Sequence, residues 1–369
     1  MLERPKLLLV VAQSGRMLAQ SAAREGYLVR VADCFGDSDT LRVTDRYLKL
    51  LPLDKITKPQ WLQTIISLSD GEPCTLICGT GLERFYPMLA ELPANIKFAG
   101  TSIESLQQIC VPEQWTALLD KLNLSHPPTT FNKDLPLNGK WLAKSAAAWG
   151  GNHVVDAHSI TEQTDVYYQQ QINGMSASVL FLANGSDFQV LLFNQQFNIN
   201  AELNNFCLQG ISNNLQLDEI QQQDIFSALQ KLTRHLNLSG LMSLDFMLDS
   251  SGRVFLLEIN PRPTASCQLL PSDFPIINWH MMSTDAVMPI INLELPIKKQ
   301  LLWFCFAPEK TIIPENFDWP DYCYDLPGAG STIEQGGIVC SLLLEQTDAN
   351  AMTGHLFANK LIENLSAQA

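Results

Sequence analysis

The sequence of 369 residues is poor in charge, and the charge is unevenly split: 24 Lys and Arg stand against 38 Asp and Glu, a formal net charge of -14. So few positive groups speak against a nucleic-acid interface, although a local basic pocket can persist in such a chain. No apolar run approaches the roughly 20 residues that a membrane-spanning helix needs. The N-terminus enters a strand-like run almost at once and has no signal-peptide layout. The nine cysteines are odd in number and sit mostly inside apolar runs, which does not suit a disulfide framework. Cys74 and Cys78, with no second pair, read as the core of one strand rather than as metal ligands. The expectation is a soluble protein of a reducing cytoplasm, with neither membrane nor nucleic acid as partner. Internal repeats and low-complexity segments are also missing, as is the full G-x-G-x-x-G fingerprint of dinucleotide binding. No Ser-His-Asp or Cys-His set points to a side-chain nucleophile.

What is present centres on residues 240–263. Two apolar runs flank the polar turn Asp249-Ser250-Ser251-Gly252, a hairpin signal. Side chains alternate faces along a strand, so Glu258 and Asn260 point the same way. A symmetric turn between Ser250 and Ser251 places Asp245 opposite Leu256 and diagonal to Glu258; a one-residue slip turns Asp245 away. Two acids and an amide at paired strand ends are hard oxygen donors suited to Mg²⁺. Arg262 follows, its planar fork shaped for carboxylate or phosphate, on a stretch stiffened by Pro261 and Pro263. Singly, each of these residues reads as a solvated strand end; it is the combination on an otherwise apolar hairpin that points to a site.

At this length two or three domains are expected, and the order of elements is α/β. Residues 7–12 read as a buried parallel strand, followed by a helix through Glu25 and a second strand over 27–33, a βαβ unit. Residues 75–78 form a further strand entering the small-residue loop Gly79-Thr80-Gly81, where Glu83 has a surface or capping role as well as a substrate-facing one open to it. A helix over 113–122 ends before Pro127-Pro128, and a long amphipathic helix over 218–236 precedes the hairpin. A last segment begins near Pro296 and ends in a helix over 349–365.

Lys144 closes a strand-like run ahead of a loop of small residues that ends in Gly150-Gly151. An ammonium beside closely approachable backbone N–H groups suits phosphate. Further on, Gln169, Gln170 and Ile172 lie on a run that ends at Asn173-Gly174.

Taken together, the word Leu257-Glu258-Ile259-Asn260-Pro261-Arg262, the lysine strand with its glycine loop and the run over 166–174 resemble the ATP-grasp superfamily across nearly the whole chain. The resemblance implies an N-terminal Rossmann-like pre-ATP-grasp domain (1–110), a two-lobed ATP-grasp domain of α+β type (111–295) and a small C-terminal lobe (296–369). It implies ATP as cosubstrate and Mg²⁺, with Mn²⁺ as a substitute, held by Asp245, Glu258 and Asn260. Lys144, Gly150 and Gly151 would meet phosphate; the Gln169 side chain, the Gln170 carbonyl and the Ile172 N–H would meet adenine; Arg262 would face the acyl-phosphate side. The sequence departs from the family at Ser176, where a ribose-binding Glu is frequent, and at residues 110–114, where a basic residue is. Residues 146–148 are alanines where glycine is common.

The implied activity is an ATP-dependent carboxylate–amine ligase, acting on small molecules, for which a homodimer is an open assembly. Gly79-Thr80-Gly81-Leu82-Glu83 and Asp325-Leu326-Pro327-Gly328 are similar to a branch related to biotin carboxylase that includes tyramine–glutamate ligases of methanofuran-type cofactor synthesis. A non-catalytic nucleotide-binding protein and a carboxylase acting through carboxyphosphate are the rival readings; no biotin-accepting lysine motif is visible.

Overall fold

A computed structural model of the chain describes residues 6–136, 138–146, 151, 154–160, 166–198, 206–291, 298–345 and 350–368. Its first sheet is parallel, in the order β3-β2-β1-β4-β5. The strands are β1 (Leu7–Val11), β2 (Leu28–Asp33), β3 (Arg46–Lys49), β4 (Cys74–Cys78) and β5 (Ile96–Phe98). β1 is apolar at every position because it is covered on both faces. Leu8 and Val10 point into one core and Leu7, Leu9 and Val11 into another. The expected βαβ unit is thus present, and the topological switch falls between β1 and β4, where connections leave in opposite directions.

A small antiparallel sheet follows, in the order β6-β9-β7-β8, built from β6 (Thr129–Thr130), β7 (Trp141–Ser145), β8 (Val154–Asp156) and β9 (Val166–Gln170). The largest sheet holds eight strands in the order β14-β13-β10-β11-β12-β15-β19-β17. These are β10 (Gly174–Asn184), β11 (Phe188–Asn198), β12 (Leu208–Ser212), β13 (Ser239–Asp249), β14 (Val254–Asn260), β15 (Gln300–Phe306), β17 (Cys323–Tyr324) and β19 (Ile338–Glu345). β16 (Thr311–Ile312) pairs separately with β18 (Thr332–Ile333). The mixed α/β class and the Rossmann-like first sheet agree with the sequence expectation.

One face of the large sheet is core along its whole length. Ala177, Val179 and Phe181 of β10 and Met242, Leu244 and Phe246 of β13 lie there under the helix Glu219–Leu236. That helix is bounded as its sequence requires: Asp218 and Gln221 form a capping box, and Asn237 ends it in the left-handed region. The opposite face changes character along each strand. Leu180, Leu182 and Leu241 pack against the parallel sheet, whereas Ser176, Ser178, Ser243 and Asp245 line an open cleft.

The parallel sheet is tied to the rest by buried polar contacts. His280, on the helix Ile276–Thr284, meets the Ala99 carbonyl with Nε2 (3.1 Å) and accepts from the Leu241 N–H with Nδ1 (2.9 Å). The close fit requires glycine at 240, where φ is +102° and a Cβ would lie 2.6 Å from His280 Cε1. Glu25 accepts from the N–H groups of Ile277 and Asn278, occupying the otherwise unpaired start of the same helix. All nine cysteines are free thiols. Among the described residues no helix is long and apolar enough to cross a membrane.

Candidate active site

The hairpin forms, but its register corrects the expectation. Asp249 closes the turn, accepting from the N–H groups of Ser251 (2.8 Å) and Arg253 (3.0 Å), with Gly252 at φ +82°. Phe246 then pairs with Leu256, so Asp245 does not lie opposite that leucine. A regular ladder would next set Asp245 against Leu257 and turn Glu258 into the core. Instead a β-bulge between Asp245 and Phe246 leaves Leu257 unpaired, and Asp245 faces Glu258 directly. Leu256 and Ile259 both reach the core although an odd number of positions separates them, while Glu258 and Asn260 face the cleft. The backbone beside the bulge is satisfied from outside the sheet. The Leu256 N–H donates to the Ser125 carbonyl (2.8 Å), and the Trp115 indole donates to the Leu257 carbonyl (2.9 Å).

Among the described residues neither of the acids brought together in this way forms an ion pair, although Lys144 and Arg262 act on them from further off. Burial, then Glu258, raises the Asp245 pKa to about 7. Glu258 is open to solvent on the cleft floor yet enclosed by protein at longer range, and that enclosure raises its pKa too. The Asn260 amide donates to Asp245 Oδ2 (3.3 Å) and its Oδ1 accepts from Arg262 Nη2 (2.9 Å). Two facing carboxylates and an amide oxygen fit a Mg²⁺ ion that completes its shell with phosphate and water. Among the described residues no three His, Cys, Asp or Glu side chains gather in metal-binding geometry, so the protein alone would not enclose the ion.

Lys144 stands across the cleft on β7. Burial lowers its pKa, against the pull of Glu258 and Asp245. Its Nζ donates to Gln169 Oε1 (2.7 Å), and Gln169 in turn donates to Thr129 (3.2 Å), so the Gln169 carboxamide joins three strands of the small sheet. Gln170 and Ile172 follow along the cleft wall, and among the described residues no backbone carbonyl accepts from the Ile172 N–H. Gly151, at φ +81°, lines the same cleft; a Cβ there would fall 1.8 Å from the Phe206 carbonyl oxygen. Gly150 lies outside the described residues. Ser176 donates to Gln196 Oε1 (2.7 Å). The described residues singled out in the sequence therefore share one cleft.

Sequence reasoning left Glu83 undecided and did not connect it with Arg262. The Arg262 guanidinium is 5 % exposed and donates from Nε to Glu83 Oε1 (2.8 Å), from Nη1 to Thr80 Oγ1 (3.1 Å) and from Nη2 to Asn260. Burial alone would lower its pKa, but Glu83 outweighs that and holds it charged. Among the described residues Glu83 Oε2 is buried without a hydrogen-bond partner, so the ion pair is not saturated. Gln196 was also missed. Its signal was available in Gln195-Gln196, polar residues in an otherwise largely apolar strand, both of which line the cleft.

Residues 114–266 match the family model of the ATP-grasp domain, and the chain carries such a domain over that range. Three solved structures show the same overall fold. The L-amino acid ligase from Bacillus licheniformis has a TM-score of 0.70 at 15% identity, covering 98% of both chains. N5-carboxyaminoimidazole synthetase from Staphylococcus aureus, solved with ADP, has a TM-score of 0.69 at 14% identity over 96% of both. Biotin carboxylase from Campylobacter jejuni has a TM-score of 0.68 at 14% identity, over 91% of this chain and 87% of that one. No curated protein sequence matches the chain.

Proposed function

We propose that the protein is an ATP- and Mg²⁺-dependent carboxylate–amine ligase, working in the cytoplasm through its three parts, 1–110, 111–295 and 296–369. One observation carries the reading: the facing pair Asp245–Glu258, with Asn260 and Arg262 beside it and Lys144 across the same cleft. Asp245, Glu258 and Asn260 would hold the ion, which when bound supplies charge neutralisation to the phosphates. Lys144 and Gly151 would meet phosphate, with the Gln169 side chain, the Gln170 carbonyl and the Ile172 N–H reading the base.

A substrate carboxylate oxygen forms a bond to the γ-phosphorus as the bond to the bridging oxygen breaks, releasing ADP. An amine nitrogen then bonds to the acyl carbon, phosphate leaves with the C–O electron pair, and the nitrogen loses a proton. Neither step needs a side-chain nucleophile. The chain's contribution is to align the reactants in line and to supply fixed charge, with the Arg262 fork on the carboxylate or acyl phosphate.

The finer version of this reading is an amino-acid ligase of methanofuran-type cofactor synthesis. It is supported by the motifs over 79–83 and 325–328, both of which reach the cleft. The test is ADP release with MgATP across matched acid and amine pairs. ADP formation requiring both an acid and an amine supports the ligase. Release stimulated by bicarbonate alone would instead indicate a carboxylase acting through carboxyphosphate, and MgATP binding with no turnover on any pair a non-catalytic binder.

A further inference from the structure

The cleft runs on from Arg262 into a crevice at the carboxyl ends of β1, β2 and β4. The three ends are joined there by hydrogen bonds from the Gln13 N–H to the Thr80 carbonyl (2.9 Å) and from the Cys34 N–H to the Gln13 carbonyl (3.0 Å). Four aspartates gather around this crevice, and three are fully engaged by the protein. Asp33 accepts from the N–H groups of Gly15, Phe35 and Gly36 and from Tyr47. Asp39 accepts from the N–H groups of Asp325 and Leu326. Asp325 accepts twice from Arg16 and once each from Ser14 and Ser341.

Asp37 differs. It is 6 % exposed, it lines the crevice, and no described residue offers its carboxylate a hydrogen bond. It precedes the short helix Ser38–Leu41 without capping it through its side chain. Arg16 is committed to Asp325 and Gln268, and Lys49, which lines the same crevice, forms no ion pair with Asp37. Burial, and after it Asp325, Asp33 and Asp39, raises the Asp37 pKa to about 8 against the pull of Arg16. A buried acid with no partner is costly unless a cation joins it.

Strands of one sheet lie about 4.8 Å apart, so the end of β2 is about 10 Å from the end of β4, across β1. Thr80, just past β4, holds Arg262. Asp37 follows β2 and Thr80 follows β4, strands separated by β1 in the sheet, so the two groups stand at different loops of the same cleft. We propose that Asp37 receives the cationic end, a primary ammonium or guanidinium, of an elongated substrate whose other end meets Arg262. The placement of Arg262 rests on the ligase reading; the preference of Asp37 for a cation does not.

The test is titration calorimetry of the full chain with L-lysine, L-arginine and 1,5-diaminopentane, and with L-norleucine and L-citrulline as counterparts whose side chains are uncharged. At least one cationic probe is expected to bind at least tenfold tighter than its counterpart. Asp37→Asn is expected to abolish that preference while leaving MgADP affinity and melting temperature unchanged. If no cationic probe binds, or if Asp37→Asn binds them as the wild type does, the assignment is overturned. Failure of MgATP to bind would remove the ligase reading on its own, and the cationic probes would still decide the role of Asp37.

Discussion

Two buried arginines link the loops of the parallel sheet to distant parts of the chain, and they are built differently. Arg16, 3 % exposed, meets Asp325 through two nitrogens, and Asp325 is filled by Ser14 and Ser341 as well. Asp325 holds a left-handed φ of +56°, and its ionised form is favoured by Arg16 against the burial that opposes it. Arg262 likewise meets an acid from far away, Glu83, but here one carboxylate oxygen lacks a hydrogen-bond partner among the described residues. Beside it stand Asp245 and Glu258, both with raised pKa values. Hydrogen bonds satisfied within the protein make a fastening; groups lining a cleft and left incomplete mark a place where something else completes them. The same residue type at similar burial therefore serves two ends, and what surrounds it decides which.

The largest contrast should come from the unsaturated side. Glu258→Gln keeps the shape of the cleft floor but halves the negative charge facing the metal. ADP formation is expected to fall by about 100-fold or more, as loss of a charge-stabilising group in a catalytic site commonly costs, with little change in melting temperature. Unchanged ADP formation would remove Glu258 from the site.

On the saturated side, Asp325→Asn removes the carboxylate that Arg16 hydrogen-bonds and leaves it only Asp39, at 3.9 Å. Breaking a buried pair in this way costs about 3–5 kcal/mol, read as a fall in denaturant midpoint, while MgATP affinity per folded molecule is preserved. A loss of nucleotide binding without a loss of stability would erase the contrast between the two arginines.

His280 offers a pH test of the same fastening. Burial lowers its folded-state pKa from 6.5 to about 4. The unfolded chain therefore takes up a proton first as pH falls, and stability present above pH 6.5 is lost as pH approaches 4. A shift of this size corresponds to on the order of 3 kcal/mol at 1.36 kcal/mol per unit. The loss should be measured by denaturant melts against a His280→Gln variant, which lacks it. Equal acid sensitivity in both proteins would show that His280 does not titrate in this window.

Arg262→Lys separates fastening from chemistry at one position. An ammonium cannot reach Glu83, Thr80 and Asn260 in the fork geometry of a guanidinium. Turnover per folded molecule is expected to drop about 10- to 100-fold, the equivalent of about 1.4–2.7 kcal/mol, with MgATP affinity retained and a smaller stability loss than Asp325→Asn. Preserved turnover with a lower melting temperature would make Arg262 a second Arg16.

The smallest effect is expected at Trp115. Trp115→Phe keeps an aromatic ring but removes the hydrogen bond to the bulge carbonyl of Leu257, a change of about 1 kcal/mol. Because the bulge sets Glu258 against Asp245, the apparent Mg²⁺ requirement for ADP formation should rise several-fold. An unchanged metal requirement would mean that the bulge holds its register without the indole.

Much of this protein could be read from the amino acids in order. The unbroken apolar run over 7–11 demanded a strand covered on both sides, Asp218 and Asn237 bounded a helix by their own chemistry, and the polar, Gly-ended turn between two apolar runs announced a hairpin. The pattern Glu258, Asn260, Arg262 marks the site in the sequence alone, since acids, amide and arginine on an apolar hairpin have no packing reason to be there. Alternation along a strand is local and has a period of two, so it survives in the one-dimensional record. The bulge does not. An extra residue is visible only against the partner strand, and Asp245 stands opposite Glu258 rather than Leu256 because Leu256 and Ile259 both turn into the same core. Long-range pairing was equally hidden: Glu83 and Arg262 lie 179 positions apart, and Ser14 and Asp325 lie 311 apart. The sequence by itself determined which segments become strands and helices and which residues carry the chemistry. Only the tertiary structure decided which charges meet, because burial and proximity, which set the strength of an ion pair and the pKa of an acid, belong to the packed chain and to no residue alone.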